Sequence, residues 1–406
     1  MEHFSVIQTL CRIGLEGTDP RFRKQVERLR DRLRTEGDEK AATAVERLLA
    51  GVSSEHSLTP SAVEVSRLLV TGDELTANVH PPADRETSVP LAEVILDPGA
   101  GRPAPIYSET LTLALDAMLG EWKQVTALRE MGVEPSRSCL IYGPPGTGKT
   151  LTAFWLASQL RLPVINARID GLVSSFLGTT ARNIANLFTF ANRYRCMLVL
   201  DEFDALAKMR DDPHEVGEIK RVVNTLLQNL DARAGTGLTV AITNHDALLD
   251  PAVWRRFENH IRIDLPDART RFAMLNAFLR PLDVDEDVVR TLVFIVGERS
   301  GSFLKNFADA LKRVLALSRS DVSAVAILAA AKALVPRLSI DENRSSPASM
   351  FVSDEANFVG ALLHSGLPIR QASVAKMLGV SQSTISRYAQ DYAAREVPRE
   401  GVANAQ

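Results

Sequence analysis

Apolar residues three or four apart, Phe22, Val26, Leu29 and Leu33, run between Arg23, Lys24, Arg28, Arg30 and Arg32, a helical period with a charged outer face. Thr18-Asp19-Pro20 supplies a cap followed by proline at the first helical position, and Gly37 a stop. Residues 1–50 are therefore expected to form a small helical module. From 51 to 105 the periodicity gives way to Pro, Gly, Ser, Thr and Asp, including Pro81-Pro82 and Asp97-Pro98-Gly99-Ala100-Gly101. This reads as a linker with one short strand near Val94 to Leu96. A long amphipathic helix is expected from Glu109 to Met131. Beyond it short apolar runs, Cys139 to Tyr142, Val164 to Ala167, Met197 to Leu200 and Leu238 to Thr243, alternate with helical stretches. That is the pattern of an α/β domain whose parallel sheet is covered on both faces, here residues 106–265. From Asp267 to Arg337 the pattern is wholly helical, with breaks near Leu282-Asp283, Gly297 to Gly301 and Arg319 to Asp321, so 266–338 forms a helical lobe. A polar linker (339–353), a further helical module (354–395) and a tail (396–406) complete the expected organisation.

The length of 406 residues, 45% hydrophobic and 24% charged, fits two or three globular domains and excludes a largely disordered, collagenous or fibrous chain. A net charge of −3 disfavours a generic polyanion binder and restricts nucleic-acid contact to local patches. Cys11, Cys139 and Cys196 lack the spacing of a zinc site or redox pair, which suggests a reducing cytoplasm. The opening Met-Glu-His-Phe-Ser carries an acid where a secretory signal carries bases. The longest apolar run, Ser323 to Pro336, contains Lys332 and is too short to span a bilayer, so no membrane partner is expected.

The strongest chemical signal is Gly143-Pro144-Pro145-Gly146-Thr147-Gly148-Lys149-Thr150, a GxxxxGK[ST] loop between an expected strand and helix. Glycines let successive N–H groups face phosphates, and the helix N-terminus, with Leu151 in its first turn, adds partial positive charge. Lys149 is placed to reach the β- and γ-phosphates of ATP, and the Thr150 hydroxyl to join a Mg²⁺ shell. The run Met197 to Leu200 ends in Asp201-Glu202, two carboxylates at the carboxyl end of a buried strand. Asp201 is suited to hold Mg²⁺ and Glu202 to polarise the attacking water.

With both motifs in place, the chain from about Leu91 to Arg337 resembles one module of the AAA+ ATPases, in the SpoVK-like and FtsH-like AAA branch. The resemblance implies a P-loop sheet domain with a helical lid, ATP and Mg²⁺ as cofactors, and a homohexameric ring. It also implies a polar sensor at the end of the next strand, here Asn244 after Thr243. Leu249 to Phe257 resembles the second region of homology, so Arg255 and Arg256 are expected as fingers acting on a neighbouring copy; a surface arginine pair is the plainer alternative. Phe176-Leu177-Gly178 is similar to the pore loop of AAA unfoldases, with Phe176 as the substrate grip or, more plainly, a packed loop residue. Asp211 to Glu215 is expected as a second loop. Two departures stand out. Glu298 to Phe303 keeps only the Ser300-Gly301 of the family's lobe motif, and a solvated Arg299 is read there in preference to a phosphate sensor. His214-Glu215-Val216-Gly217-Glu218 lacks the second histidine of a zinc protease.

Gln371 to Tyr388 resembles a bacterial helix-turn-helix, in which Ala375 lies at the helix crossing, Gly379 turns the chain, Ser381 caps the second helix and Val380 and Ile385 fill the core. Its polar residues suit phosphates or base edges, and such units also dock proteins, so DNA contact through residues 370–390 stays open. The leading expectation is a ring motor that remodels a protein substrate. The alternative is a DNA-associated AAA+ ATPase targeted through the terminal module.

Overall fold

The computed structural model describes residues 20–35, 38, 41–46, 70, 72–172, 177–207, 216–234, 237–318, 322–337 and 346–396. They divide into two units, Met1–Arg67 and Leu68–Gln406.

In the first unit the expected helix is α1 (Pro20–Thr35), which buries Val26 and Leu33 as the apolar period requires. Residues 41–46 form a second helical turn that buries Ala41, Ala42 and Val45; the Asp38 carboxylate accepts the Ala41 N–H at 3.1 Å and caps it. Arg34 pairs with Glu46 at 2.7 Å.

The second unit is built on a six-stranded sheet: β1 (Ala92–Ile95), β2 (Ser138–Tyr142), β3 (Val164–Ala167), β4 (Met197–Leu200), β5 (Leu238–Thr243) and β6 (Asn259–Arg262), in the order β1-β3-β4-β5-β2-β6. All pairings are parallel except β1 with β3. Alternation within the strands explains their near-continuous apolar sequences. Leu140, Leu198 and Leu200 pack on one face with Leu187 and Phe188 of α5 (Leu177–Arg193) and Leu226 of α6 (Val216–Ala234). Cys139, Ile141, Met197 and Val199 pack on the other with Trp122 of α2 (Glu109–Lys123) and Phe154 and Leu156 of α4 (Lys149–Gln159). The long helix expected up to Met131 is broken at Gln124, where α3 (Val125–Glu130) begins.

Two strands depart from expectation. The segment read as linker supplies β1 as an antiparallel edge, covering a length the expected short strand only overlaps. β6 carries no apolar run because only Ile261 faces the core, at 8% exposure, leaving its polar neighbours at the sheet margin.

Beyond the sheet, the four expected lobe helices are α8 (Ala268–Leu279), α9 (Glu286–Val296), α10 (Gly301–Ser318) and α11 (Ala324–Leu334). α12 (Pro347–Ser353), within the segment expected as linker, starts where Ser346 caps it and buries Phe351. α13 (Glu355–His364), α14 (Gln371–Leu378) and α15 (Gln382–Glu396) follow. Gly379, at φ 70°, turns α14 toward α15, and the Ser381 hydroxyl accepts the Thr384 N–H at 3.2 Å. Ala375 and Ile385 are buried in the same apolar cluster as Leu292 and Ile327, and Thr291 donates to the Met377 sulfur at 3.7 Å. The terminal helices and the lobe thus share one core.

Candidate functional site

The strand order fixes where a ligand can sit. From β2 the chain crosses to β3 at the far side, returns through β4 and β5, and β6 then pairs on β2's other edge, so the connections part at the carboxyl end of β2. The glycine-rich loop lies there, running from β2 into α4. Gly143, at φ 138°, packs so closely under the Ile263 carbonyl that a side chain would collide with it. The Thr147 hydroxyl donates to the Pro144 carbonyl at 2.9 Å and tightens the turn.

Lys149 is 5% exposed, and its Nζ donates to the carbonyls of Gly143 at 2.9 Å and Pro144 at 2.6 Å. Burial pushes the ammonium below its ordinary pKa, with Asp201 and Asp204 acting in the opposite direction. The lysine thus presents a partly dehydrated positive charge at the loop, held by neutral carbonyls. Its neighbour Thr150 donates from Oγ1 to Asp201 Oδ2 at 2.8 Å, joining the loop to the end of β4.

Glu202 is exposed and adopts φ 51°, left-handed backbone that a non-glycine residue takes only under constraint. Three bonds hold the turn: Asp201 Oδ1 accepts the Glu202 N–H at 2.9 Å, the Glu202 carbonyl accepts the Ala205 N–H at 2.9 Å, and Phe203 N–H donates to the Ile242 carbonyl at 2.8 Å. On β5, Thr243 donates to Asp204 Oδ1 at 3.1 Å and accepts the His245 N–H at 3.0 Å, which leaves half-buried Asn244 at the cleft.

Pro145 to Leu151, Asp201, Glu202 and Asn244 line one cleft of about 510 Å³, and Gly143 and Pro144 are not among its lining residues. Two further walls were not anticipated. Residues 103–107 form one, with Tyr107 donating to Thr152 at 2.9 Å and its phenol pKa pushed up by burial. The lobe supplies the other through Met274, Phe278, Ser302 and Lys305, and the Ser302 N–H bonds the Gly146 carbonyl at 3.0 Å. Lys305 was legible in principle, since it follows Ser302 at the i, i+3 spacing that shares a helix face. Nothing in the linker-like composition before α2 marked Tyr107.

Arg255 and Arg256 do not line the cleft. They are exposed just beyond α7 (Pro251–Trp254), where Arg256 pairs with Asp231 at 2.7 Å and Arg255 has no ion pair among the described residues. Arg299 stacks 5.3 Å from the Phe303 ring and is also outside the cleft. Leu177 and Gly178 begin α5, whereas Phe176 and the expected loop 211–215 lie outside the described residues.

Among the described residues no cluster of three or more His, Cys, Asp or Glu could cage a metal. The Thr150 hydroxyl beside the Asp201 carboxylate is instead a hard-oxygen pair that suits Mg²⁺ completing its shell with phosphate and water. No described helix is long and apolar enough to cross a membrane.

Residues 139–265 match the sequence profile of AAA, the ATPase family associated with various cellular activities. The AAA family ATPase y4kL of Sinorhizobium fredii is 40% identical over 185 residues, covering 46% of this chain and 55% of that protein. A proteasome-activating nucleotidase of Methanopyrus kandleri is 30% identical over 270 residues, covering 58% and 62%, and one of Saccharolobus islandicus is 34% identical over 221 residues, covering 50% and 56%. The chain thus spans little more than half the length of the curated relatives it matches.

Proposed function

We propose that this chain binds ATP with Mg²⁺ in the cleft between sheet and lobe and hydrolyses it, working as a ring-forming motor that remodels a protein substrate. One observation carries the reading: Lys149, Thr150, Asp201, Glu202 and Asn244 converge on one cleft, while Arg255 and Arg256 are exposed outside it. In this scheme the loop N–H groups and Lys149 bind the β- and γ-phosphates, and Thr150 and Asp201 hold Mg²⁺, which would neutralise developing phosphate charge. Glu202 accepts a proton from water aligned on the γ-phosphate, and Asn244 orients that water. Arg255 and Arg256 stabilise transition-state charge in an adjacent copy, so turnover requires assembly, in six copies by family analogy. Phe176, with Leu177 and Gly178, grips an extended polypeptide through apolar contact.

The two short helices α14 and α15, joined at Gly379, support a second reading, in which the pair works as a helix-turn-helix whose Arg370, Lys376 and Arg387 dock this ATPase on duplex DNA. The discriminating experiment is capture of bound partners on the Glu202→Gln variant loaded with ATP, with and without nuclease. Polypeptide retained after nuclease supports the remodeller; material lost with nuclease supports the DNA reading.

A further inference from the structure

The two arginines outside the cleft are flanked by aromatic residues on both sides, and each aromatic touches the chain's own nucleotide-binding elements. Trp254, immediately before Arg255, packs edge-on against Tyr142 with ring centroids 5.1 Å apart and planes at 77°. Tyr142 is the last residue of β2 and directly precedes Gly143. Phe257, immediately after Arg256, meets Phe203 at 5.8 Å and 90°, and Phe203 directly follows Glu202. Phe203 and Phe257 are 1% and 3% exposed, so this second pair is locked in the core. Trp254 is backed by His260, stacked at 4.8 Å and 25°, whose Nε2 lies 3.1 Å from the Trp254 carbonyl. The arginine segment is thus pinned at both ends, once to the phosphate loop's strand and once to the carboxylate turn. Edge-to-face packing of this kind fixes ring position as well as burying area.

We propose that Trp254 and Phe257 are positioning residues for Arg255 and Arg256, coupling the state of a protomer's own cleft to the aim of the arginines it offers its neighbour; this rests on the trans-finger reading above. A displacement of the phosphate loop or of the Glu202 turn on nucleotide binding reaches the arginines through two short rigid contacts. An arginine finger contributes on the order of 10³–10⁵ in rate, and a misplacement of about 1 Å costs on the order of 10²-fold. Trp254→Leu should therefore lower turnover roughly 10- to 100-fold with ATP affinity unchanged, whereas Trp254→Phe, which keeps a ring against Tyr142, should restore most of it.

Subunit mixing separates positioning in trans from a fold defect. A Trp254→Leu protomer retains its own cleft and lacks well-aimed arginines, whereas a Glu202→Gln protomer keeps ATP in its cleft without hydrolysing it and retains arginines aimed by that loaded cleft. Mixed, they should hydrolyse ATP faster per competent cleft than Trp254→Leu alone. The same mix made with an Arg255→Ala, Arg256→Ala double variant is the reference. If the double variant is slow and gains on mixing while Trp254→Leu either turns over normally or gains nothing, the positioning proposal is overturned and the finger reading stands. If the double variant turns over like wild type, or neither mix gains, the finger reading fails and takes the proposal with it.

Discussion

Replacing Glu202 with glycine should make the protein more stable and inactive at once. Its φ of 51° places a long side chain in left-handed backbone, which costs an L-residue about 1–2 kcal/mol. Glycine removes that cost but adds unfolded-state freedom worth roughly 0.4–1 kcal/mol, leaving a net gain of roughly 0–1.6 kcal/mol, about 0.8 kcal/mol at mid-range. For the unit Leu68–Gln406, with an unfolding entropy of about 2.1 cal/mol/K per residue, the mid-range gain raises the melting temperature by about 1 °C. Asparagine, which tolerates left-handed backbone, should fall between, and glutamine, which removes the charge and keeps the backbone cost, should match wild type. The assay is thermal unfolding of the nucleotide-free Gly, Asn and Gln variants beside wild type, with ATP turnover measured on the same samples. All three should lose turnover, and the melting order should be Gly, Asn, then Gln with wild type. A Gly variant melting no higher than the Gln variant would refute the idea that the turn holds the carboxylate under strain.

Thr150→Val should leave the fold intact, since among the described residues the hydroxyl bonds only Asp201 across a partly open cleft, but raise the Mg²⁺ concentration needed for half-maximal turnover at least tenfold; an unchanged requirement removes Thr150 from the metal shell. Arg255→Ala should slow turnover more than Asp231→Ala, because Asp231 only braces Arg256, and activity in wild type should rise with protein concentration; equal effects contradict that division. The buried Asp84 carboxylate accepts the Asn183 amide at 2.7 Å, and this bond first, then the Thr87 and Glu86 N–H groups, holds its pKa below the ordinary 3.8. A depressed pKa stabilises the fold above the unfolded value, and that contribution is lost as pH falls through the folded one. Asn183→Ala should therefore be less stable than wild type at pH 7, with the gap closing in denaturant titrations as pH drops below about 4; a pH-independent gap contradicts the assignment.

Much of this site was readable because its signals are local. A glycine-rich loop between strand and helix, and two carboxylates ending an apolar strand, each fix residue types within a few positions, and Pro145 to Leu151, Asp201 and Glu202 border one cleft. The lobe helices were equally legible, because α8 to α11 bury one stripe each and are separated by breaks. What escaped depends on distant contacts. β6 has one core-facing residue, so its strand character comes from pairing with β2 rather than from its own pattern. β1 is a strand because β3 offers an edge, amid composition that otherwise reads as turn. Tyr107 and Lys305 join the cleft only once the segment before α2 and the lobe fold against the loop. The pairing of Tyr142 with Trp254 joins positions more than a hundred residues apart, for which no local periodicity exists.

The most direct test of the central claim is titration calorimetry of the purified chain with ATP and Mg²⁺. The account predicts saturable binding of one nucleotide per chain, abolished by Lys149→Ala and preserved by Glu202→Gln. Folded wild-type protein that takes up no ATP, or a Lys149→Ala variant that binds it as wild type does, would contradict it.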